Sequence, residues 1–171
     1  EQTLKSALAS STNTVTARLM NEIGPQPVVE MAKKLGIEQD IEPMPAIALG
    51  TPDISVYEMV AAYSTFANKG VYNKPVMVTR IEDKNGTVLY QFTPESKDVL
   101  SEEVAYTTVN LMEGVVQSGS GGRLRGKWRA NQSVYKEIIT GYPYELTNPI
   151  AGKTGTTQNQ SDGWFMGMVP N

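Results

Sequence analysis

Residues 149–157 read PIAGKTGTT, and the way this stretch folds decides between two kinds of protein. The Gly-Lys-Thr inside it is typical of a loop that holds nucleotide phosphates. The overlapping Lys-Thr-Gly-Thr, on an extended strand beside a cleft, is typical of a site that holds a peptide ligand. The surrounding residues separate the two interpretations.

A phosphate-binding loop has the pattern GxxxxGK[ST], because its first glycine lets backbone N–H groups point at the phosphates. Thr147 occupies that glycine position here, and Pro149 has no N–H to donate. The residues after Lys153 are β-like, so the helix dipole that would hold a phosphate is missing. We therefore predict a strand here and a second one in SDGWFMGMVP, joined by a polar turn at residues 158–162.

A strand bordering a cleft would give each residue of Lys-Thr-Gly-Thr a use. Gly155 lets a substrate backbone approach closely, and the ammonium of Lys153 raises the local positive potential. The hydroxyls of Thr154 and Thr156 can bind a carboxylate, and backbone N–H groups can stabilise an oxyanion. Taken alone, the four residues fit a surface lysine beside a turn equally well.

Composition excludes several chemistries. The 171 residues are 40% hydrophobic, which suits one domain, and the net charge of −3 disfavours a nucleic-acid partner. Histidine and cysteine are both absent, which excludes a Ser-His-Asp triad, a thiol nucleophile and the usual zinc sites. We predict no metal and no cofactor. No apolar run reaches the roughly 18 residues of a membrane span, so we expect no direct membrane contact from this segment.

The first part of the chain is predicted to be helical. Two short helices lie within residues 3–23 around the polar break ASSTNTV, and Gly24 and Pro25 end the second. A third amphipathic helix covers QPVVEMAKKLG, with an apolar face of Val28, Val29, Ala32 and Leu35. The proline-rich residues 40–53 predict an ordered irregular connection.

Two longer helices and a hairpin follow. Ser55 and Glu58 form a capping box at the start of a helix whose apolar stripe is Met59, Val60, Tyr63, Phe66 and Ala67. Asn85-Gly86 between two β-rich runs predicts a hairpin closed by a type I′ turn. Ser101 caps the next helix, whose apolar positions are Val104, Leu111, Met112 and Val115. Helices followed by antiparallel strands predict an α+β fold.

The polar break contains a second candidate site, SSTN at residues 10–13. Ser, Thr and Asn all cap helices well, so capping of the second helix explains these residues when they are taken alone. The combination is more informative, because Ser11-x-Asn13 at a helical junction is followed by KTGTT and then DGWFMG.

With these two motifs in order, the chain strongly resembles the transpeptidase domain of class A penicillin-binding proteins, the bifunctional cell-wall synthases of bacteria. The resemblance covers essentially all 171 residues, including LKSALASSTNTVTARL, VVEMAKKLGI and PIAGKTGTTQNQSDGWFMGMVP. It implies a penicillin-binding or β-lactamase-like fold, here a helical subdomain with part of the antiparallel sheet. It implies also a D,D-transpeptidase, which acylates an active-site serine with a stem peptide and is trapped by β-lactams.

The resemblance assigns six residues to the site. Ser11 and Asn13 match the SxN motif, in which the serine relays a proton to the leaving amine and the asparagine holds the substrate backbone. Lys153, Thr154 and Gly155 match the KTG motif. Its lysine supplies positive potential, the hydroxyls of Thr154 and Thr156 bind the terminal carboxylate, and the N–H of Thr156 completes an oxyanion hole.

The nucleophile's own motif, SxxK, precedes SxN in this family and is not found there in this sequence. The string SVYK at residues 133–136 lies between SxN and KTG, out of family order, and we interpret it as a coincidence. We expect residues 1–171 to be a partial transpeptidase domain without the SxxK region, the final strands and the C-terminal helix. Alone, such a chain is expected to be inactive.

The resemblance also sets expectations for the surroundings. The partners are peptidoglycan stem peptides and β-lactams, and the parent protein lies on the extracytoplasmic face of the cytoplasmic membrane, anchored by a segment outside this chain. A β-lactam sensor or a β-lactamase-like hydrolase of the same fold are the alternatives. Truncated sheet edges predict self-association. The basic stretch RLRGKWR, residues 123–129, is interpreted as a solvated loop near the site.

Overall fold

The computed structural model describes residues 2–125, 146–157, 159 and 161–170. Within them the helices are α1 (Leu4–Ala9), α2 (Asn13–Ile23), α3 (Pro25–Lys34), α4 (Val56–Ala67) and α5 (Glu102–Ser118). The strands are β1 (Val71–Asn73), β2 (Arg80–Glu82), β3 (Val88–Gln91), β4 (Ser96–Asp98), β5 (Ala151–Thr156) and β6 (Gly163–Met168). Short 3-10 helices cover Pro45–Leu49 and Gly122–Arg125. The predicted α+β class is confirmed.

The described strands form three separate antiparallel pairs: β1 with β4, β2 with β3, and β5 with β6. The strand predicted over KTGT is therefore confirmed. Lys153 lies opposite Met166, and Gly155 lies opposite Trp164. Among the described residues β5 pairs with no strand other than β6, and it also packs against α5.

Helix α5 is the centre of the molecule, since it packs against α1, α4 and β5. Met112 and Val115 are buried as predicted, but Val104 is 50% exposed. Val104 and Val115 are eleven residues apart and point in nearly the same direction from the helix. The chain after α5 folds back over the C-terminal end of the helix, where the carbonyl of Val115 accepts the N–H of Gly121 at 2.9 Å. Periodicity alone does not show where this cover ends.

Helix α4 begins with the predicted capping box of Ser55 and Glu58. Its predicted apolar stripe was wrong in part, because Val60 is 45% exposed and Ala67 is exposed as well. The buried residues are Ala61, Ala62 and Thr65. Burial of Thr65 leaves its hydroxyl hydrogen-bonded, because this group donates to the carbonyl of Ala61 at 3.3 Å. A simple hydrophobic pattern therefore does not predict that a threonine lies on the buried face.

The β2–β3 hairpin is present, but the predicted type I′ turn is wrong. Such a turn needs positive φ at both central residues, and only Gly86 has it, at 84°. The carboxylate of Asp83 accepts the N–H groups of Asn85 and Thr87, both at 2.8 Å. This side chain stabilises a longer loop, with Gly86 as its left-handed residue.

A hydrophobic core joins α3, α4 and the connection between them. Its buried residues are Val29, Ile37, Ile41 and Ala62. Val28, Ala32 and Leu35, which with Val29 make the predicted face of α3, are half-buried. No helix within the described part of the chain is long and apolar enough to cross a membrane.

Candidate active site

The junction between α1 and α2 holds Ser11 in an unusual backbone conformation. Ser11 has a φ of 53°, in the left-handed region that favours glycine. Its N–H donates to the Leu8 carbonyl at 3.1 Å, and the N–H of Thr12 donates to the Ala7 carbonyl at 2.9 Å. These two bonds form a Schellman motif, in which the left-handed position is usually glycine. A serine there costs of the order of 1 kcal/mol, so the side chain needs a separate reason.

The contact of Ser11 with Lys153 provides that reason. The Nζ of Lys153 donates to the Oγ of Ser11 at 2.9 Å and to the carbonyl of Thr154 at 2.8 Å. The two residues are 142 positions apart in the chain. Ser11 is exposed and Lys153 is half-buried. Burial lowers the pKa of Lys153 below the usual lysine value, because desolvation disfavours the charged form.

Asn13 is the first residue of α2 and is exposed. The N-cap of this helix is Thr12, whose side chain makes no capping hydrogen bond. Helix capping explained SSTN from the sequence alone. The side chain of Thr12 therefore does not have that capping role. Asn13 lies two residues after Ser11, and its predicted role in holding a substrate backbone stays a prediction.

The KTG strand combines one tightly packed glycine with one open glycine. A Cβ on Gly152 would lie 2.4 Å from the Met166 carbonyl oxygen and 2.6 Å from the ring of Phe165, so packing requires glycine there. A Cβ on Gly155 would meet its nearest neighbour, the Cβ of Trp164, only at 4.0 Å. Gly155 and Thr156 are both exposed. The strand therefore leaves space beside Gly155, where the sequence predicted close approach of a ligand backbone.

Thr154 contacts a residue that sequence reasoning missed. Its Oγ1 lies 2.5 Å from the Oγ of Ser120, and either hydroxyl can be the donor. Ser120 also donates its N–H to the carbonyl of Ala9 at 2.9 Å, two residues before Ser11. The available signal was a serine between two glycines directly after a helix, Gly119-Ser120-Gly121, but nothing in that pattern indicates a partner.

Several predictions fall outside the described residues. They include the SVYK string with Ser133 and Lys136, Trp128, and residues 126–129 of the basic stretch. Arg125, within the described part of that stretch, donates to the carbonyl of Leu146 at 2.5 Å. The structure thus brings Ser11, Lys153, Thr154 and Ser120 together at one seam, between the α1–α2 junction and β5.

Comparison with known proteins identifies the fold and the family of the chain. A family model, the penicillin binding protein transpeptidase domain, matches residues 1–171. The solved structure of penicillin-binding protein 1A from Haemophilus influenzae superposes with a TM-score of 0.76 at 20% identity, over 96% of this chain and 28% of that one. The fold is therefore that of these transpeptidase domains.

Sequence relatives place the chain within that family. It is 35% identical over 168 residues to penicillin-binding protein 1A of Aquifex aeolicus. The matched region covers 98% of this chain and 20% of the relative. It is 33% identical over 166 residues to penicillin-binding protein 1B of Escherichia coli. That matched region covers 96% of this chain and 18% of the relative. The chain belongs to the transpeptidase domain family of class A penicillin-binding proteins. It spans about a fifth of the length of these curated relatives.

Proposed function

We propose that this chain forms two walls of the active site of a serine-type D,D-transpeptidase. In this proposal the parent protein takes a stem peptide ending in D-Ala-D-Ala, forms an acyl-enzyme, and transfers the acyl group to the amine of a neighbouring peptide. The observation that carries the proposal is the 2.9 Å bond between Lys153 Nζ and Ser11 Oγ. It joins the two motifs whose residue types suit proton relay and anion binding.

Ser11 suits proton relay because its hydroxyl both accepts and donates. Its Oγ accepts from the Lys153 ammonium, so its own proton is free to be donated to a leaving amine. Donation from a cation makes the hydroxyl a better proton donor, which is what departure of an amine requires. Asn13 directly follows Thr12 and is exposed. It is proposed to hold the substrate backbone.

The KTG strand suits binding of the terminal carboxylate. Lys153 adds positive charge at a half-buried position, where attraction is screened less than at the open surface. Thr154 and Thr156 are proposed to bind the carboxylate, and the space beside Gly155 admits the substrate backbone. The N–H of Thr156 is proposed as one donor of the oxyanion hole.

The nucleophilic serine is proposed to come from the parent protein outside these 171 residues. A glycosyltransferase domain, a membrane anchor and an extracytoplasmic location of the parent are part of the same proposal. The test is intact-mass measurement after incubation with a penicillin. The parent protein should gain one adduct on a serine of an SxxK motif upstream of Ser11. The 171-residue chain should gain none, and an adduct on Ser133 or Ser11 would contradict the assignment.

Acyl-enzyme lifetime distinguishes transpeptidase from hydrolase. A long-lived adduct together with formation of cross-linked peptide supports the transpeptidase. Rapid loss of the adduct with turnover of the penicillin would instead identify a β-lactamase-like hydrolase. A stable adduct without any peptide cross-linking would identify a sensor.

A further inference from the structure

We propose that Ser120 is a positioning residue that orients the Thr154 hydroxyl for carboxylate binding, an inference that rests on the proposed function. The two hydroxyl oxygens are 2.5 Å apart. Ser120 is exposed and Thr154 half-buried, so the pair lies where a ligand can reach it. Neither composition nor motif spacing pointed to Ser120.

Hydrogen-bond counting explains how the pair acts on an anion. Two hydroxyls have two protons, and the bond between them uses one. When Ser120 donates to Thr154, the O–H of Thr154 remains free, and its oxygen is held in position by Ser120. A carboxylate accepts from that free O–H in a charge-assisted bond. Without Ser120, the Thr154 hydroxyl rotates freely and has no fixed direction.

The backbone around Ser120 is built for this placement. A Cβ on Gly119 would lie 2.2 Å from the carbonyl oxygen of Ala9, so only glycine lets the chain come this close to the end of α1. Gly121 is buried, and its N–H donates to the carbonyl of Val115 at 2.9 Å. Ser120 is thereby held between α1 and β5.

The same serine connects both motifs. Its N–H donates to the carbonyl of Ala9, which belongs to the helix that ends at the Ser11 junction. Its hydroxyl contacts Thr154 on β5. Together with the bond from Lys153 to Ser11, this makes a second link across the seam, on the side of the strand where Thr154 lies.

The experiment compares a penicillin that has its free carboxylate with the methyl ester of the same penicillin, using the intact parent protein. The second-order acylation rate constant is measured with each compound for wild type, S120A and S120T. In S120A the ratio of the carboxylate rate to the ester rate should fall about tenfold, because a Thr154 hydroxyl without a fixed direction loses much of its hydrogen bond to the carboxylate, and tenfold is the low end of the range for a bond to a charged group. S120T keeps a hydroxyl and should restore the ratio. S118A, which removes the hydroxyl of the exposed last residue of α5, should leave it unchanged.

Because both rates are measured on the same acylatable protein, the ratio does not depend on how much of a variant is folded. A wild-type ratio in S120A, or an S120T ratio as low as that of S120A, would overturn the role of Ser120 while leaving the transpeptidase proposal intact. Absence of acylation in wild type would overturn the proposed function and this inference with it.

Discussion

Ser11 combines backbone strain with a side-chain contact. The left-handed φ of 53° is unfavourable for any residue with a Cβ, and glycine avoids the cost. The serine is retained at a Schellman position because its hydroxyl meets Lys153 at 2.9 Å. Stability therefore favours glycine at position 11, whereas the proposed function requires serine.

This conflict predicts different outcomes for two substitutions. S11G should make the transpeptidase domain more stable than S11A by about 1 kcal/mol, because both lose the hydroxyl but only glycine relieves the strain. Both should acylate penicillin much more slowly than wild type. Urea unfolding of the intact protein gives the stability difference, and labelled penicillin gives the rate. Equal stability of the two variants would contradict the assignment of strain to Ser11.

Glu58 stabilises the connection between α3 and α4 through its carboxylate. One oxygen accepts the N–H groups of Glu38 and Gln39 at 2.9 and 3.0 Å, and the other accepts from Ser55. Hydrogen bonding, first of all from the Ser55 side chain, lowers the pKa of Glu58 from 4.5 to about 2. The lowered pKa means that the folded state prefers the ionised carboxylate.

The low pKa of Glu58 makes the stability of the folded state depend on pH. The contribution of Glu58 to stability is fully present above pH 4.5 and is lost as the pH falls toward about 2. E58Q should therefore be less stable than wild type at neutral pH, and the difference should shrink progressively below pH 4.5. Urea midpoints at a series of pH values measure this. E42Q removes the same charge from an exposed glutamate and should leave the pH profile as in wild type.

At the scale of elements, the close contact of α1 with the end of α5 depends on Gly119. A methyl group there would lie 2.2 Å from the Ala9 carbonyl, and backbone cannot move aside as a flexible side chain can. We expect G119A to destabilise the domain by about 2 kcal/mol, a typical cost of overpacking. It should also slow acylation, because it pushes Ser11 and Ser120 away from β5.

Gly163 provides the matched control for G119A. It begins β6, and a Cβ there would meet no atom within 4 Å. G163A should therefore change stability by only a few tenths of a kcal/mol. Urea unfolding of both variants tests the comparison, and a similar loss in both would mean that loss of glycine itself, rather than contact with Ala9, is responsible.

Sequence predicted the elements better than it predicted their buried faces. Capping signals such as Ser55 with Glu58 are local, and the helix they predict is confirmed. Which side of a helix is covered depends on distant segments, so Val60 and Val104 were misassigned. The hairpin turn failed for a related reason, because Asp83 supplies acceptors that a dipeptide rule for Asn85-Gly86 does not include.

The candidate site was predictable only where a motif carried it. Ser11 and Lys153 were selected from two short motifs, and the structure joins them by a hydrogen bond. Ser120 lies in no recognised motif, and its contact with Thr154 spans 34 residues, which no local pattern records. The left-handed backbone conformation of Ser11 was not predictable either, because a Schellman motif is usually recognised in a sequence by its glycine.

At the scale of the whole molecule, the β5–β6 pair leaves apolar surface open. Trp164 is 53% exposed and Val169 is 60% exposed. Trp164 and Met166 line an apolar groove together with residues of α3 and α4, among them Val28 and Met59. The hairpin carries a second apolar surface, where Leu89 is 66% exposed. Exposed apolar surface next to a strand edge favours association between copies.

We therefore expect the 171-residue chain on its own to self-associate through the β5–β6 region, and sedimentation velocity over a range of concentrations measures this. W164K should shift the chain toward monomer, because a lysine at the groove makes its burial against another copy costly. L89K adds the same charge to the hairpin and should leave the association unchanged. Association lost in L89K but kept in W164K would assign the contact to the hairpin, and a monomeric wild-type chain would show that the groove does not bind a second copy.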